Sequence, residues 1–245
     1  MSVGGLEIFP LAGLPEVRPG DVLAELIAAA AAVAGGGHAA GPGLRDGDVV
    51  VVTQKVVSKA EGRLIELDPA DPAARRRLVE GESVRVLRRR GDLLITETRH
   101  GFVCANAGVD LSNVERGQAA LLPLDADRSA RRVRDGLRAR TGVEVGVIVS
   151  DTFGRPWRRG STDVAIGCAG VAAVVDLRGS ADALGRPLEV SEIAVADELA
   201  SAAELVMGKA AAVPVAVVRG IDPTCLRESS VRAEVVRPPA EDLFR

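Results

Sequence analysis

Short, uniformly apolar segments recur along the chain and predict buried strands. Several of them are dominated by valine, and a strand that is covered on both faces is apolar along its whole length. The predicted strands are residues 6–14, 49–53, 93–97, 102–105, 143–150 and 213–218, together with a strand and turn of small residues at 160–175.

Other segments are alanine-rich or carry apolar residues at every third or fourth position, which is typical of helices. The predicted helices are residues 22–33, 71–87, 126–141 and 192–206. Strands and helices mix without a regular strand–helix–strand alternation, and no internal repeat is visible. The pattern therefore predicts an α+β or an irregular α/β protein.

Composition restricts the class of protein. Of 245 residues, 47% are apolar and 27% charged, which suits a soluble globular protein of one large or two small domains and excludes disordered and fibrous chains. The longest apolar run, residues 26–34, is far short of a membrane span, and the first residues carry no signal-peptide pattern. We therefore expect a cytoplasmic protein without a membrane partner.

Charge and cysteine content exclude further classes. A net charge of −3 leaves no basic field for a phosphate backbone, so nucleic-acid binding is not expected. Cys104, Cys168 and Cys225 are far apart in the sequence and odd in number. This pattern predicts buried free thiols rather than a zinc site or a disulfide framework.

Lysine is rare among the basic residues. Of 31 lysines and arginines, only Lys55, Lys59 and Lys209 are lysines. Where arginine is so strongly favoured, a retained lysine indicates a place that needs a compact ammonium group, such as a phosphate site. For Lys209 taken alone, chance explains the residue equally well.

Polar clusters directly follow two of the predicted buried strands. Residues 53–59 bring together Thr, Gln, Ser and two Lys, and residues 150–152 are Ser-Asp-Thr. Ligand sites of α/β proteins lie at the carboxyl ends of strands, and a carboxylate there often binds Mg²⁺ beside phosphates. The clusters indicate phosphate and metal binding, with a solvated helix start as the alternative for 53–59.

Two further groups of polar residues leave more than one interpretation open. Asp110 and Asn113 suit a hard metal ion and a nucleotide, but the same spacing is typical of an ordinary Asx turn. Three arginines after the strand at 143–150 could clamp an anion, namely Arg155, Arg158 and Arg159.

Familiar nucleotide-binding and hydrolase motifs are missing from the sequence. It contains no GxxxxGK[ST] loop, no GxGxxG after a strand and no Gly-x-Ser-x-Gly, and His38 and His100 form no triad. What remains are carboxylates at strand ends with lysines and arginines. These are the groups that phosphoryl transfer with a divalent metal uses.

Seven segments occur in an order that is specific to one family. They are residues 13–16, 52–59, 96–101, 107–113, 150–158, 162–167 and 196–200. Together they resemble the coenzyme F420-0:L-glutamate ligase family, the gamma-glutamyl ligases of deazaflavin biosynthesis, and most closely its actinobacterial branch. There the module precedes a nitroreductase-like domain. Residues 1–245 are thus expected to form one ligase domain, either alone or as the N-terminal part of a bifunctional chain with its hinge near 237–245.

The resemblance implies a fold and an activity. The fold is α+β, with mixed sheets, flanking helices, a family-specific arrangement and an intimate homodimer. The activity is a GTP-dependent ligation of L-glutamate to the carboxylate of coenzyme F420-0 through an acyl phosphate, with later gamma-linked additions. Two divalent cations per site are implied, Mg²⁺ or Mn²⁺, with K⁺ as an optional further cation.

The resemblance also implies roles for individual residues. Leu14, Pro15, Glu16 and Val17 would line the GTP site, Gln54, Lys59 and Asn113 would contact the nucleotide, Asp110 and Asp151 would hold one metal, and Thr152 would hold the second. Lys59 and Asp151 are the expected catalytic residues. Relatives commonly have serine at the position of Gln54. Some carry a glutamine metal ligand where Lys209 stands, and a charged lysine cannot replace it.

Two other functions remain as alternatives. One is a different nucleotide-dependent carboxylate–amine ligase on the same scaffold. The other is a non-catalytic GTP- and metal-binding module that regulates a partner. For the dimer contact, residues 160–175 are the candidate because small side chains allow close backbone approach, and an ordinary buried strand is the equally weighted alternative.

Overall fold

The computed structural model describes residues 5–35, 43–242 and 244. Within them, the strands are β1 Glu7–Pro10, β2 Val49–Thr53, β3 Leu64–Glu66, β4 Ser83–Arg90, β5 Leu93–Thr98, β6 Val103–Ala105, β7 Gln118–Ala120, β8 Gly146–Arg155, β9 Arg158–Ala169, β10 Val175–Asp176, β11 Glu192–Ile193 and β12 Val215–Arg219. The α-helices of the same residues are α1 Leu23–Gly35, α2 Gln54–Ala60, α3 Ala74–Gly81, α4 Ala126–Thr141, α5 Val195–Met207 and α6 Val231–Glu234.

A five-stranded mixed sheet forms the centre of the fold, in the order β1-β12-β2-β8-β9. The β2–β8 pair is parallel and aligns Thr53 with Ser150, whereas every other pair of neighbours is antiparallel. The prediction of mixed sheets with flanking helices is confirmed.

Helices cover both faces of this sheet. Because successive residues of a strand point to opposite faces, Val50 and Val52 of β2 pack in one core with α1 and α4. Val49 and Val51 pack in the other core with α5. Burial on both faces explains why β2 is an unbroken apolar run.

A smaller unit lies beside the central sheet. Strands β4, β5 and β6 form an antiparallel sheet, and β3 pairs with β7. Val79 of α3, Leu94 of β5 and Leu121 share a separate small core. The loop after Val109 belongs to this unit and lies between it and the central sheet.

The boundaries of α4 agree with the prediction because both of its ends carry strong local signals. The side chain of Asp125 accepts a hydrogen bond from the backbone N–H of Arg128, as an N-cap residue does. Gly142 ends the helix in the left-handed conformation at φ 71°.

Two predicted helices were partly wrong. The helix predicted at 71–87 ends at Gly81, and Ser83–Arg90 is instead strand β4, paired with β5. The arginine-rich sequence of residues 83–90 has no strong hydrophobic periodicity. Pairing with β5 therefore determines that this segment is a strand. The helix predicted at 192–206 begins at Val195, because Glu192–Ile193 pairs with Val175–Asp176.

Much of segment 160–175, which is rich in small residues, is packed inside the chain. Residues 165–169 and 171–173 are buried. A Cβ atom on Gly167 would lie 2.2 Å from the carbonyl carbon of Ala126 in α4. The carboxylate of Asp127 accepts a hydrogen bond from the N–H of Cys168 at 2.8 Å. The buried-strand interpretation is therefore correct for the apolar part of this segment, and its proposed role as the dimer contact was wrong there.

Two other expectations concern the ends and the membrane. Of the predicted hinge, positions 243 and 245 lie outside the described residues, and Pro239–Glu241 forms a short 3-10 turn. In the part of the chain that the structure describes, no helix has the length and apolar character needed to cross a bilayer.

Candidate functional site

A cleft of about 870 Å³ lies at one edge of the central sheet. Strand β2 ends at this edge and β12 begins there, whereas β8 and β9 run past it as a hairpin and bring Ser150, Asp151, Thr152 and Asp163 to the cleft. Segments far apart in the sequence therefore leave or enter the sheet side by side. This topology explains why polar residues placed after different strands face a common space.

All ten residues to which the sequence analysis assigned a site role line this one cleft. They are Leu14, Pro15, Glu16, Val17, Gln54, Lys59, Asp110, Asn113, Asp151 and Thr152. The structure thus brings the set together, while the role of each residue stays a prediction.

Asp110 lies in the loop between the two parts of the molecule and is paired with a lysine. Its Oδ2 is 2.8 Å from Nζ of Lys55, which also donates to the Ser112 hydroxyl at 2.8 Å. Its Oδ1 accepts the N–H of Ser112 at 2.7 Å, which is an Asx turn. Burial raises the pKa of Asp110. The hydrogen bonds from Lys55 and Ser112, together with the positive charge of Lys55, outweigh the effect of burial and hold the pKa below its ordinary value.

Asp151 follows the buried part of β8 and is the most perturbed carboxylate of the cleft. Burial raises its pKa to about 7, although its Oδ1 accepts the N–H of Thr152 at 2.8 Å. The negative charges of Asp110 and Asp163 contribute to this rise, and the charge of Lys209 opposes it. Asp151 therefore lies where added positive charge would be favourable.

Thr152 lies between a carboxylate and an ammonium group. Its hydroxyl donates to Oδ1 of Asp163 at 2.6 Å and accepts a hydrogen bond from Nζ of Lys209. Asp163 is 2% exposed, and its Oδ2 accepts the hydroxyl of Ser150 at 3.1 Å. β8 and β9 are thus tied together by side chains at the floor of the cleft.

Lys59 and Glu16 form an ion pair across the cleft. The Lys59 side chain is 12% exposed and its ammonium group donates to Oε1 of Glu16, whose side chain is 75% exposed. The pair connects the loop between β1 and α1 to helix α2. An incoming anion would meet a lysine that is already fixed in direction by its packing.

Gln54 and Asn113 differ in their availability. Gln54 is 2% exposed, and its amide nitrogen donates to the Ser58 hydroxyl at 2.6 Å and to the Leu121 carbonyl at 2.9 Å. That nitrogen is engaged inside the fold. Asn113 is exposed and has a left-handed backbone at φ 52°.

All three lysines of the chain, Lys55, Lys59 and Lys209, line the cleft. Lys55 and Asp163 are site residues that the sequence analysis did not assign. The scarcity of lysine was the signal for Lys55. Asp163 lies in one of the seven family segments, 162–167, but its closeness to Thr152 depends on the β8–β9 pairing.

The arginines predicted as an anion clamp lie elsewhere. Arg155, Arg158 and Arg159 are exposed on the β8–β9 hairpin and do not line the cleft. One Arg155 nitrogen donates to the Arg159 carbonyl at 2.7 Å, and Trp157 at the tip is 82% exposed. These three arginines therefore form no part of the wall of this cleft.

The donor set can be tested against a divalent metal. Among the described residues, no three His, Cys, Asp or Glu side chains converge as a preformed metal cluster. Mg²⁺, however, is commonly held by one or two carboxylates, with water and phosphate oxygens completing its shell. Asp110 and Asp151 line the same cleft, and the negative charge of Asp110 raises the pKa of Asp151, so this pair fits one such cation.

Fold and site together define a mixed α and β protein whose cleft combines hard oxygen donors with ammonium groups, as suits an anionic substrate. Comparison with known proteins is more specific. A family model described as F420-0:Gamma-glutamyl ligase matches residues 13–220. The chain belongs to this family of ligases.

Curated relatives cover nearly the whole chain. A protein from Methanothermobacter thermautotrophicus, named coenzyme F420:L-glutamate ligase, is 43% identical over 256 residues, which is 98% of this chain and 99% of the relative. A protein of the same name from Methanopyrus kandleri is 44% identical over 263 residues, covering 99% of this chain and 100% of the relative. The one from Archaeoglobus fulgidus is 39% identical over 254 residues, covering 98% and 96%.

Proposed function

We propose that this chain joins the amine of L-glutamate to the carboxylate of coenzyme F420-0, with GTP as the phosphoryl donor. The observation that carries the proposal is the cleft in which three lysines and the carboxylates of Asp110 and Asp151 meet. The family and the names of the relatives support the substrates.

The charges of the cleft suit these substrates. GTP, a deazaflavin with a phospholactyl tail and glutamate are all anionic, and the protein has a net charge of −3. Lys55, Lys59 and Lys209 line the cleft beside its carboxylates, and each ammonium group can bind a phosphate or carboxylate oxygen of these anions. A volume of about 870 Å³ is in the range of sites for small molecules and cofactors.

The proposed reaction has two steps. First, an oxygen of the substrate carboxylate attacks the γ-phosphorus of GTP, the bond from that phosphorus to the bridging oxygen breaks, and GDP leaves. Second, the glutamate amine attacks the acyl carbon, the carbon–oxygen bond breaks, phosphate leaves, and the nitrogen releases its excess protons. The products are an amide, GDP and phosphate.

The chain's own residues bind and orient the groups that react. Lys59, held in direction by packing and by Glu16, would neutralise charge on the phosphate chain. Asp110 and Asp151 would hold the divalent cation, which when bound polarises phosphate oxygens. The nucleotide would be lined by Leu14, Pro15, Val17 and Asn113. Gln54 would contact it through its backbone, because the side-chain amide nitrogen is already engaged in hydrogen bonds.

A reconstituted reaction tests the proposal. Purified chain is incubated with GTP, Mg²⁺ or Mn²⁺, L-glutamate and coenzyme F420-0, and the deazaflavin is analysed by mass spectrometry for added glutamyl units. Reactions that lack GTP, metal or glutamate, and one in which ATP replaces GTP, are the matched controls. We expect product only in the complete mixture.

The alternatives give different results in the same experiment. GTP hydrolysis that is stimulated by another carboxylate and not by F420-0 would indicate a different ligase. Binding of GTP and metal without turnover of any carboxylate would indicate a regulatory module. Either result would contradict the proposed function.

A further inference from the structure

Lys209 lies in the loop that joins α5 to β12, next to residues expected to hold metal. Its ammonium group donates to the Thr152 hydroxyl, which in turn donates to Asp163 at 2.6 Å. Ser150 completes the series by donating to the other Asp163 oxygen at 3.1 Å. The lysine is therefore the outermost member of a hydrogen-bonded series that starts on the cleft floor.

Several carboxylates face this ammonium group. Asp151 comes from β8, Asp163 from β9 and Glu204 from α5, and all three line the cleft with Lys209. Burial raises the pKa of Glu204, the charge of Asp163 raises it further, and the charge of Lys209 lowers it. The positive charge of Lys209 thus acts on a concentration of negative charge.

The other two lysines of the cleft are engaged elsewhere. Lys55 contacts Asp110 and Ser112, and Lys59 contacts Glu16. On the side of Thr152, Lys209 is the lysine that balances the carboxylates. An ammonium group has no lone pair and cannot ligate a metal, and it repels a cation placed on the same hydroxyl.

We propose that Lys209 supplies the second positive charge of this site as part of the chain, so that the protein binds one divalent cation, at Asp110 and Asp151, rather than two. The inference rests on the proposed function for the identity of the nucleotide only. It replaces the expectation that Thr152 ligates a second metal. Thr152 then positions Lys209 and connects it to Asp163.

The choice of lysine agrees with this role. Arginine accounts for all but three of the 31 basic residues. Its guanidinium is larger and planar, whereas an ammonium group is a compact point charge, as a metal cation is. Lys209 is exposed in the free chain, so its charge is accessible to a bound phosphate chain.

Counting bound Mn²⁺ tests the proposal. The full chain is titrated with Mn²⁺, with and without a non-hydrolysable GTP analogue, and free Mn²⁺ is measured by electron paramagnetic resonance. We expect one Mn²⁺ per wild-type chain, and none in Asp151→Asn at the same concentrations. Two Mn²⁺ per wild-type chain, or none, would overturn the proposal.

Three substitutions at Lys209 separate charge from structure. Lys209→Gln is neutral and offers an oxygen ligand, so a second Mn²⁺ should bind. Lys209→Met is neutral without a hard ligand and should still bind one. Lys209→Arg keeps the charge and should also bind one. A count of one in Lys209→Gln would contradict the claim that Lys209 takes the place of a second cation.

This count is independent of ligation. It uses no F420-0 and no glutamate, so the proposed function can fail while the count of one still stands. Because Lys209 lies in an exposed loop, we expect the variants to melt at the temperature of the wild type. A merely structural role would change the melting temperature and leave the number of bound Mn²⁺ unchanged.

Discussion

At the scale of single residues, the cleft is defined by a small number of charged groups whose partners are known. Each of the three lysines has a different partner. Lys55 pairs with Asp110, Lys59 pairs with Glu16, and Lys209 donates a hydrogen bond to the hydroxyl of Thr152. Each ammonium group is already oriented by its contact. A preorganised charge of this kind stabilises a transferring phosphoryl group without reorganisation during the reaction.

Removing the charge of Asp151 should affect metal binding and turnover together. Asp151→Asn keeps the shape of the side chain but removes the charge that a divalent cation needs. We expect turnover at limiting Mg²⁺ to fall by about 10²-fold or more. Steady-state ligation rates over a range of Mg²⁺ measure this. Glu198→Gln, an exposed carboxylate outside the cleft, is the control and should behave as wild type. Near-normal rates in Asp151→Asn at limiting Mg²⁺ would show the metal assignment to be wrong.

Replacing Lys59 should weaken the use of GTP. A hydrogen bond to a charged group contributes about 1.5–3 kcal/mol, so Lys59→Ala should raise the KM for GTP by roughly 10- to 100-fold. Lys59→Arg should also raise it, because the planar guanidinium is aimed differently. Initial rates at varied GTP give the values, with Arg90→Ala, exposed at the end of β4, as the control. Unchanged GTP dependence in Lys59→Ala would return this residue to a purely structural role.

At the scale of elements, the site depends on how five strands meet at one edge. β2 and β8 run parallel, and β2 ends there with Thr53 beside Ser150. β8 and β9 then continue past the edge as a hairpin, which sets Thr152 opposite Asp163. The side chains of the cleft floor are therefore held by sheet register, and a change that shifts β9 should disturb the site.

The contact between α4 and β9 leaves no space for a side chain. A Cβ at Gly167 would lie 2.2 Å from the carbonyl carbon and 2.4 Å from the carbonyl oxygen of Ala126. Gly167→Ala should therefore lower the free energy of unfolding by about 1–3 kcal/mol or more, as overpacking does. Gly154→Ala in the neighbouring strand meets nothing within 4 Å and should change it by less than about 0.5 kcal/mol. Urea unfolding of both variants measures the difference, and equal stability of the two would contradict the packing described.

Local sequence signals account for the elements that were predicted well. Residues 49–53 are an unbroken run of valines ending in threonine, and 126–141 has a cap at each end. Residues 83–90 were missed because their arginines hide the weak alternation of a strand that is stabilised by its neighbour.

The candidate site was predictable only in part for the same reason. The clusters after β2 and β8 follow directly from strands that the sequence makes visible. Asp110 and Asn113 were assigned by resemblance alone, because they lie on a loop whose approach to Asp151 depends on the packing of the smaller sheet against the central one. The Asp163–Thr152 contact depends on strand register, which a single sequence does not specify.

At the scale of the whole molecule, we propose a homodimer that completes the cleft, because an acyl phosphate must be shielded from water. Sedimentation at low micromolar concentration checks this, and we expect about twice the chain mass of 25.4 kDa. Since residues 165–169 and 171–173 are buried within the chain, they cannot form the contact. A monomer with full ligase turnover would contradict the dimer and leave the chemistry intact.

The central claim is that one cleft activates the F420-0 carboxylate with GTP and then transfers it to glutamate. Its most direct test follows oxygen-18 from F420-0 labelled in that carboxylate, with the phosphate and the deazaflavin product analysed by mass spectrometry in the same reaction. Because the carboxylate oxygen that attacks phosphorus leaves with it, one labelled oxygen should appear in the released phosphate for each amide formed. Amide formed with unlabelled phosphate, or no amide at all, would contradict the account.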